Sequence, residues 1–163
     1  MKLLLILLTV LGCIAQAWYW QTYPEVIASH FAAGGQANGW MARELNLVFS
    51  VGMLVLMCLM FVNIPALLNR TPVRLISFPN RDFWFADERK QQTLAVIATW
   101  FHFYGVLVVG FLVLVFHLIY LANQHSPPLL DEQLFIPVFS GFMLTTFIWV
   151  LALYRRFRKP SGR

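Results

Sequence analysis

The residues of this chain that could do chemistry are four histidines and two cysteines, and they form no catalytic or metal-binding pattern. His102 and His117 lie in one long apolar segment, fifteen residues apart, which corresponds to about 22 Å along a helix. Two ligands of one haem must lie at the same depth in a helix bundle. These histidines therefore cannot share a haem within one chain, although each could pair with a histidine of another subunit. We interpret both as packing residues whose imidazoles bond to backbone carbonyls.

Cys13 and Cys58 lie inside apolar segments, where a cysteine usually serves as a small buried side chain. The sequence contains no catalytic constellation of a nucleophile and a base, no glycine-rich phosphate loop after a strand and no Cys/His cluster with ligand spacing. We predict no disulfide, no metal, no cofactor and no enzymatic activity. An enzyme or cofactor carrier that uses the histidines together with Glu25 is the least favoured alternative.

The composition is typical of a membrane protein. Hydrophobic residues make up 60% of the sequence and charged residues 12%, against about 45–50% and about 25% in soluble domains. A soluble fold of about 150 residues buries only about 70% of its unfolded surface, which is too little to cover so much apolar area. In a membrane the net charge of +5 favours contact with anionic lipid headgroups and gives no reason to expect nucleic acid as a partner.

Four segments are long and apolar enough to cross a hydrocarbon core about 30 Å thick, and they predict an all-α fold with a single domain over residues 1–163. The predicted spans are 3–20, 47–68, 93–122 and 134–154. The third is longer than a span requires, so its first turns are expected to extend into water. The first resembles a secretory signal with a cleavage site at 15–17. Because its apolar run continues through the aromatic residues 18–20, we expect a retained span.

Eleven of the twelve basic residues fall on one side of a four-span arrangement, and only Arg43 falls on the other. The basic side comprises the N-terminus, the 69–92 loop and the segment after residue 154. Basic residues concentrate on the cytoplasmic side of membrane proteins. Both termini are therefore expected in the cytoplasm, and the 21–46 and 123–133 segments outside. The predicted location is a bacterial inner membrane, with the basic side against anionic headgroups.

The outer segment 21–46 contains a Gly-Gly and an Asn-Gly pair, which form turns because glycine accepts positive φ. We expect a compact folded loop with Gly35 and Gly39 at positive φ. In this loop His30 would be the polar centre, and Trp40 would anchor the membrane surface or a partner.

The inner segment 69–92 combines a Pro-Asn turn with three consecutive aromatic residues at 83–85. Aromatic side chains favour the headgroup layer, so this segment predicts an elbow at the cytoplasmic interface. Asp87 is the predicted N-cap of the third long helix, with Glu88 in its first turn.

Both segments resemble one known family. The outer segment is similar to the signature of the bacterial domain of unknown function DUF1648, which also forms the N-terminal part of SdpI-like immunity proteins. The inner segment is similar to a stretch of small proteins that carry this domain. The matching outer positions are Pro24, His30, Phe31, Gly35, Gly39, Trp40 and, with Arg for Lys, Arg43. The matching inner positions are Pro79, Asn80, Arg81, Asp82, Trp84 and Ala86.

The chain departs from this family in two ways. Ala37 and Asn38 stand where Pro-Asp is usual, which removes one carboxylate from the outer loop. The four spans are also fewer than those of the SdpI-like immunity proteins.

The resemblance implies a non-enzymatic binding or immunity-type membrane protein. Its outer loop would engage a peptide or protein partner through the matching outer positions, and its inner motif would report that event to another protein. The alternative is a structural accessory subunit of a larger inner-membrane complex, which the small size and the lack of a polar channel fit equally well.

Overall fold

The computed structural model describes residues 1–158, and over this range the protein consists of four long helices and one small hairpin. The helices are α1 (Lys2–Thr22), α2 (Arg43–Arg70), α3 (Arg81–Trp84), α4 (Asp87–Ala122) and α5 (Glu132–Arg156), and the strands are β1 (Val26–Phe31) and β2 (Ala37–Ala42). A 3-10 turn, Val73–Leu75, lies between α2 and α3. α1, α2, α4 and α5 are each long and apolar enough to cross a membrane, and each contains one predicted span.

The helical core is formed by α1, α2 and α4, which pack against one another. Leu5 of α1, Leu54 of α2 and Val109 of α4 are fully buried where the three helices meet. Cys58 is buried in this core, as predicted, whereas Cys13 is half-buried against it. A membrane removes the need to cover the outer faces with polar residues, which explains why so much apolar surface surrounds such a small core.

α5 lies at the periphery of the bundle and packs on α4. Two stacked aromatic pairs join them: Tyr104 with Trp149 at 4.3 Å between ring centroids, and Phe111 with Phe142 at 4.1 Å. None of the residues of α5 is buried. Most of the apolar surface of this helix therefore faces lipid or another molecule.

The connection between α1 and α2 is an antiparallel β-hairpin, so the prediction of an all-α fold is wrong in this segment. Its turn contains Gly34 and Gly35 with φ of 87° and 73°. The positive φ predicted for Gly35 is confirmed, but Gly39 lies within β2 and has no positive φ. The Asn-Gly pair therefore belongs to a strand, because the Gly-Gly pair already supplies the reversal of the chain.

α4 contains 36 residues and is about 54 Å long, well beyond the roughly 30 Å of a hydrocarbon core. It begins at Asp87, as the predicted helical extension requires. The N-cap is Ala86, however, and no side chain caps the helix, so the prediction for Asp87 is wrong. Asp87 and Glu88 lie in the first turn, where their charges interact favourably with the helix dipole.

The long helices alternate in direction, which gives the bundle two different ends. At one end Tyr19 of α1 contacts His117 and Tyr120 of α4, and the hairpin follows directly; we call this the hairpin end. At the other end lie Met1, the elbow (residues 71–86) and the end of α5; we call this the elbow end. The basic residues Lys159 and Arg163, which contribute to the predicted orientation, lie outside the described residues.

Candidate functional site

The hairpin is fastened to the connection between α4 and α5, and together they form one folded unit. Asn123 follows the end of α4, and its side chain forms two hydrogen bonds with the backbone of Ala28 in β1. The Oδ1 atom accepts from the Ala28 N–H at 2.8 Å, and the Nδ2 atom donates to the Ala28 carbonyl at 2.9 Å. The Asn123 side chain thus forms the hydrogen bonds that a neighbouring strand would form, so the buried N–H and carbonyl of Ala28 both have partners. We call residues 23–42 together with 123–131 the hairpin module.

The turn of the hairpin makes a second set of contacts with the same connection. The Leu130 N–H donates to the Gly35 carbonyl at 2.8 Å, and the Gly34 N–H donates to Oε1 of Glu132 at 2.7 Å. A Cβ atom at Gly35 would overlap the Leu130 carbonyl oxygen, whereas one at Gly34 would meet open space. Gly35 is therefore required for both its backbone conformation and this close approach.

His30 and Gly39 lie opposite each other in the hairpin. A Cβ atom at Gly39 would lie 2.9 Å from Cβ of His30, closer than real Cβ contacts, so the histidine side chain occupies the space that the glycine leaves. His30 is exposed, and its Nδ1 lies 3.1 Å from Oγ of Ser29. These two matching positions thus fit together as a packed pair. Phe31, half-buried, pairs with Ala37 near the turn.

Pro24 and Arg43 define where the hairpin joins the helices. Pro24 is exposed and follows Tyr23, the C-cap residue of α1, at a point where a proline cannot continue the helix. Arg43 donates from Nη1 to the Tyr23 carbonyl at 3.0 Å and from Nε to Oε1 of Glu44 at 3.0 Å. The hydrogen bond from Arg43 holds the pKa of the Glu44 carboxyl below its ordinary value.

A groove of about 500 Å³ opens between β2 and the connection from α4 to α5. It is lined by Gln36, Ala37, Trp40, His125, Ser126, Pro127, Pro128 and Leu129. Trp40 is 54% exposed and therefore offers a large apolar surface at this groove. We call this concave surface the hairpin groove.

The structure separates the predicted outer residues into two groups. Pro24, Gly35, Gly39 and Arg43 hold the hairpin in place, whereas the side chains of His30 and Trp40 are exposed. Only Trp40 lines the hairpin groove. The sequence analysis missed the other wall, residues 123–129, because the contact between this segment and the hairpin is long-range. The Pro-Pro pair with a preceding histidine was the available signal for a rigid, exposed segment.

An aromatic cluster beneath the hairpin module joins α1 to α4. The Tyr19 hydroxyl lies 2.8 Å from Nδ1 of His117, and the Tyr19 ring stacks on Tyr120 at 4.2 Å. The partner of His117 is therefore a phenol, and the backbone carbonyl expected from the sequence is wrong for this histidine. His102 lies nearer the elbow end, where its Nε2 is buried and bonds to no group within residues 1–158. The two histidines do not form a common site.

The inner motif fastens the C-terminal end of α5. The Trp84 indole N–H donates to the Phe157 carbonyl at 2.7 Å, and Nδ2 of Asn80 donates to the same carbonyl at 3.4 Å. Asn80 adopts a left-handed conformation with φ of 50°, which places the turn before α3. Phe157 is almost fully buried against the aromatic residues of the elbow. This arrangement satisfies a carbonyl that the end of a helix leaves without a partner.

The remaining residues of the inner motif lie at the surface of the elbow. Arg81 donates from Nη1 to the Arg74 carbonyl at 2.6 Å, and its Nε lies 3.4 Å from Oδ1 of Asp82. Pro79 is exposed. These contacts describe a folded elbow with a structural role in holding α5. Over residues 1–158 no group of three His, Cys, Asp or Glu side chains is placed to hold a metal ion.

Comparison with known proteins gives one match, to part of this chain. Residues 7–61 match the family model of a domain of unknown function, DUF1648. The resemblance inferred from the outer motif is thus confirmed for a segment that covers most of α1, the whole hairpin and most of α2. The elbow, α4 and α5 lie outside the matched segment. No curated protein matches the chain. No solved structure matches it either.

Proposed function

We propose that this multi-pass protein resides in a bacterial inner membrane, with the hairpin end outside and both termini in the cytoplasm. The basic residues support this orientation. Within residues 1–158, nine lysines and arginines lie at the elbow end, whereas Arg43 alone lies at the hairpin end. Such an asymmetry is typical of the cytoplasmic and outer sides of a membrane protein.

We further propose that the hairpin groove binds an extended, cationic segment of a peptide or protein. In an immunity-type protein that segment would belong to a toxin. The observation that carries this proposal is the concave groove beside β2, with the exposed Trp40 at its edge. Tryptophan is the residue type most enriched among those that carry binding energy, because it buries a large rigid surface.

The backbone of β2 supports recognition of an extended segment. β2 pairs with β1 along one edge, and the sheet has only these two strands within residues 1–158. Leu129 already forms a bridge with Gln36, directly before β2, so a strand-like neighbour fits on this side. An extended peptide could add main-chain hydrogen bonds in the same way, while Pro127 and Pro128 form a stiff opposite wall.

The charge of the hairpin end supports a cationic ligand. The segments 21–46 and 123–133 contain four carboxylates and one arginine. Glu44 is already paired with that arginine, Arg43, at 3.0 Å, and Glu132 accepts a hydrogen bond from Gly34. None of the four carboxylates lines the groove. Their excess over the single arginine gives these segments a negative charge, which attracts a positively charged ligand at long range and increases its rate of association.

The rigidity of the hairpin module favours binding. Asn123, Leu130 and Glu132 each hydrogen-bond to the hairpin, so both walls of the groove are fixed before a ligand arrives. A pre-organised groove loses less conformational entropy on binding than a flexible loop does.

The experiment uses the purified protein in nanodiscs of neutral phosphatidylcholine. The probe is a fluorescein-labelled decapeptide of alternating valine and lysine, and its control is the valine–glutamate counterpart. We expect the lysine peptide to bind more tightly and its affinity to fall as salt is added. Trp40→Ala should weaken binding about thirtyfold. The matched control is Trp18→Ala, because Trp18 is equally exposed, at 54%, but lies on α1.

Empty nanodiscs measure the binding of the peptide to lipid alone. Equal affinity for the two peptides, or equal effects of the two tryptophan substitutions, would contradict a cationic ligand in the hairpin groove.

A second candidate function is that of an accessory subunit, and α5 is the observation that favours it. This helix has no buried residue and presents exposed apolar side chains such as Leu144, Phe147 and Leu151. A larger membrane protein could pack against this face. Purification in mild detergent with a stoichiometric integral membrane partner would support this function, provided that substitutions on α5 release the partner.

A further inference from the structure

A second groove lies at the elbow end, between α4 and α5. It has a volume of about 460 Å³ and is lined by Met1, Thr99, Trp100, Phe103, Thr145, Ile148, Trp149 and Ala152. The lining is almost entirely apolar, and it lies within the segments long enough to cross a membrane. We call it the elbow-end groove.

Basic residues follow the lining residues along the chain at one end of this groove. Lys2 directly follows Met1 and is exposed. Arg155 and Arg156 lie three and four residues after Ala152, a spacing that places them on the same face of α5 one turn nearer the helix end. The Arg156 guanidinium lies 5.8 Å from the Trp84 ring centroid, which holds it at the elbow end.

Trp149 lines the groove with its aromatic ring, which stacks on Tyr104 at 4.3 Å between centroids. Its Nε1 is buried and bonds to no group within residues 1–158. Because this atom is buried, the groove offers a ligand contacts with the ring and no hydrogen-bond donor.

We propose that the elbow-end groove is a binding site for one anionic phospholipid. An acyl chain occupies the apolar groove, and the phosphate lies near Lys2 and Arg155. Charge complementarity selects an anionic headgroup over a zwitterionic one. This site is separate from the hairpin groove, so the proposal does not depend on peptide binding.

The test measures lipid retained by the protein. The protein is purified from vesicles of equal parts phosphatidylglycerol and phosphatidylcholine, and the bound lipid is counted by native mass spectrometry. We expect one retained phosphatidylglycerol and little phosphatidylcholine. Lys2→Gln combined with Arg155→Gln should reduce this preference by roughly tenfold or more. The control Arg74→Gln removes a basic residue of the elbow outside the groove and should leave the preference unchanged.

One further variant keeps the test decisive if the double variant is poorly inserted. Ala152→Leu adds a larger side chain to the lining of the groove and should lower the retention of either lipid. Retention of both lipids in equal amounts by the wild-type protein, or unchanged retention in Ala152→Leu, would overturn the proposal. A copurified protein in place of lipid, released by Ala152→Leu, would overturn it as well.

Discussion

At the scale of the residue, the two glycines of the hairpin turn give a direct test of the hairpin module. Both have positive φ, so an alanine at either position is strained by about 1 kcal/mol. Only Gly35 also lies against the Leu130 carbonyl. We therefore expect Gly34→Ala to lower the free energy of unfolding by about 1 kcal/mol and Gly35→Ala by on the order of 3 kcal/mol. Unfolding by dodecyl sulfate in mixed micelles measures both, and equal losses would contradict the contact with Leu130.

The packed pair of His30 and Gly39 is tested by a double-mutant cycle. Gly39→Ala places a Cβ within 2.9 Å of Cβ of His30, so it should destabilise the wild-type background. A His30→Gly background removes the three atoms nearest to that Cβ, so the same substitution should cost less there. We expect a coupling of on the order of 1–2 kcal/mol in the free energy of unfolding. Additive effects would show that the two residues do not pack together.

The pair of Arg43 and Glu44 predicts a pH dependence. The hydrogen bond from Arg43 lowers the pKa of Glu44 in the folded protein. A lowered pKa contributes stability above the ordinary pKa of a glutamate, and that contribution disappears as the pH falls through the folded value. Arg43→Gln should raise the pKa of Glu44 towards its ordinary value, as measured by NMR of a labelled glutamate. An unchanged pKa would contradict the pairing.

The residue types in the outer motif predicted a folded loop but not the contacts that hold it. The Gly-Gly pair correctly indicates a turn, because glycine accepts positive φ whatever surrounds it. Gly39 is required for a different reason, the bulk of His30, which no local pattern reveals. Asn123 and Leu130 are about a hundred residues away in the sequence, so their role follows from the tertiary fold alone.

At the scale of the element, the attachment of α5 to the elbow is the feature most open to test. Trp84→Phe removes the hydrogen bond to the Phe157 carbonyl but keeps an aromatic ring in place. We expect a loss of about 1 kcal/mol and faster hydrogen exchange at the end of α5, residues 153–158. Trp18→Phe is the matched control, because Trp18 is exposed on α1. Unchanged exchange in the Trp84 variant would show that packing of Phe157 alone holds the helix end.

Element type was predictable where an apolar run was long. Each of the four spans is a predominantly apolar segment of 18 or more residues, and such a segment can be recognised without knowledge of what it packs against. The hairpin was not predicted, because its strands have only six residues each. Their short apolar pattern is also interrupted by glycines, which indicated turns. The N-cap of α4 was misplaced by one residue, which is the ordinary uncertainty of helix ends.

At the scale of the whole molecule, the proposed orientation makes a simple prediction. Alkaline phosphatase is active only outside the cytoplasm. A fusion after Gln124, in the hairpin module, should therefore be active, and a fusion after Arg158, at the end of α5, should be inactive. The membrane level of each fusion is the control. The opposite pattern would place the basic elbow end outside and would exclude the proposed orientation.

The central claim is that this protein contacts its partner through the hairpin groove. Site-specific photocrosslinking in native membranes tests this claim most directly. A benzophenone amino acid is placed at His125, which lines the hairpin groove, or at Phe147, which is 61% exposed on the outer face of α5. We predict a peptide or protein adduct from position 125 and none from position 147. A protein adduct from position 147 without one from position 125 would contradict the account and support an accessory subunit that binds through its spans.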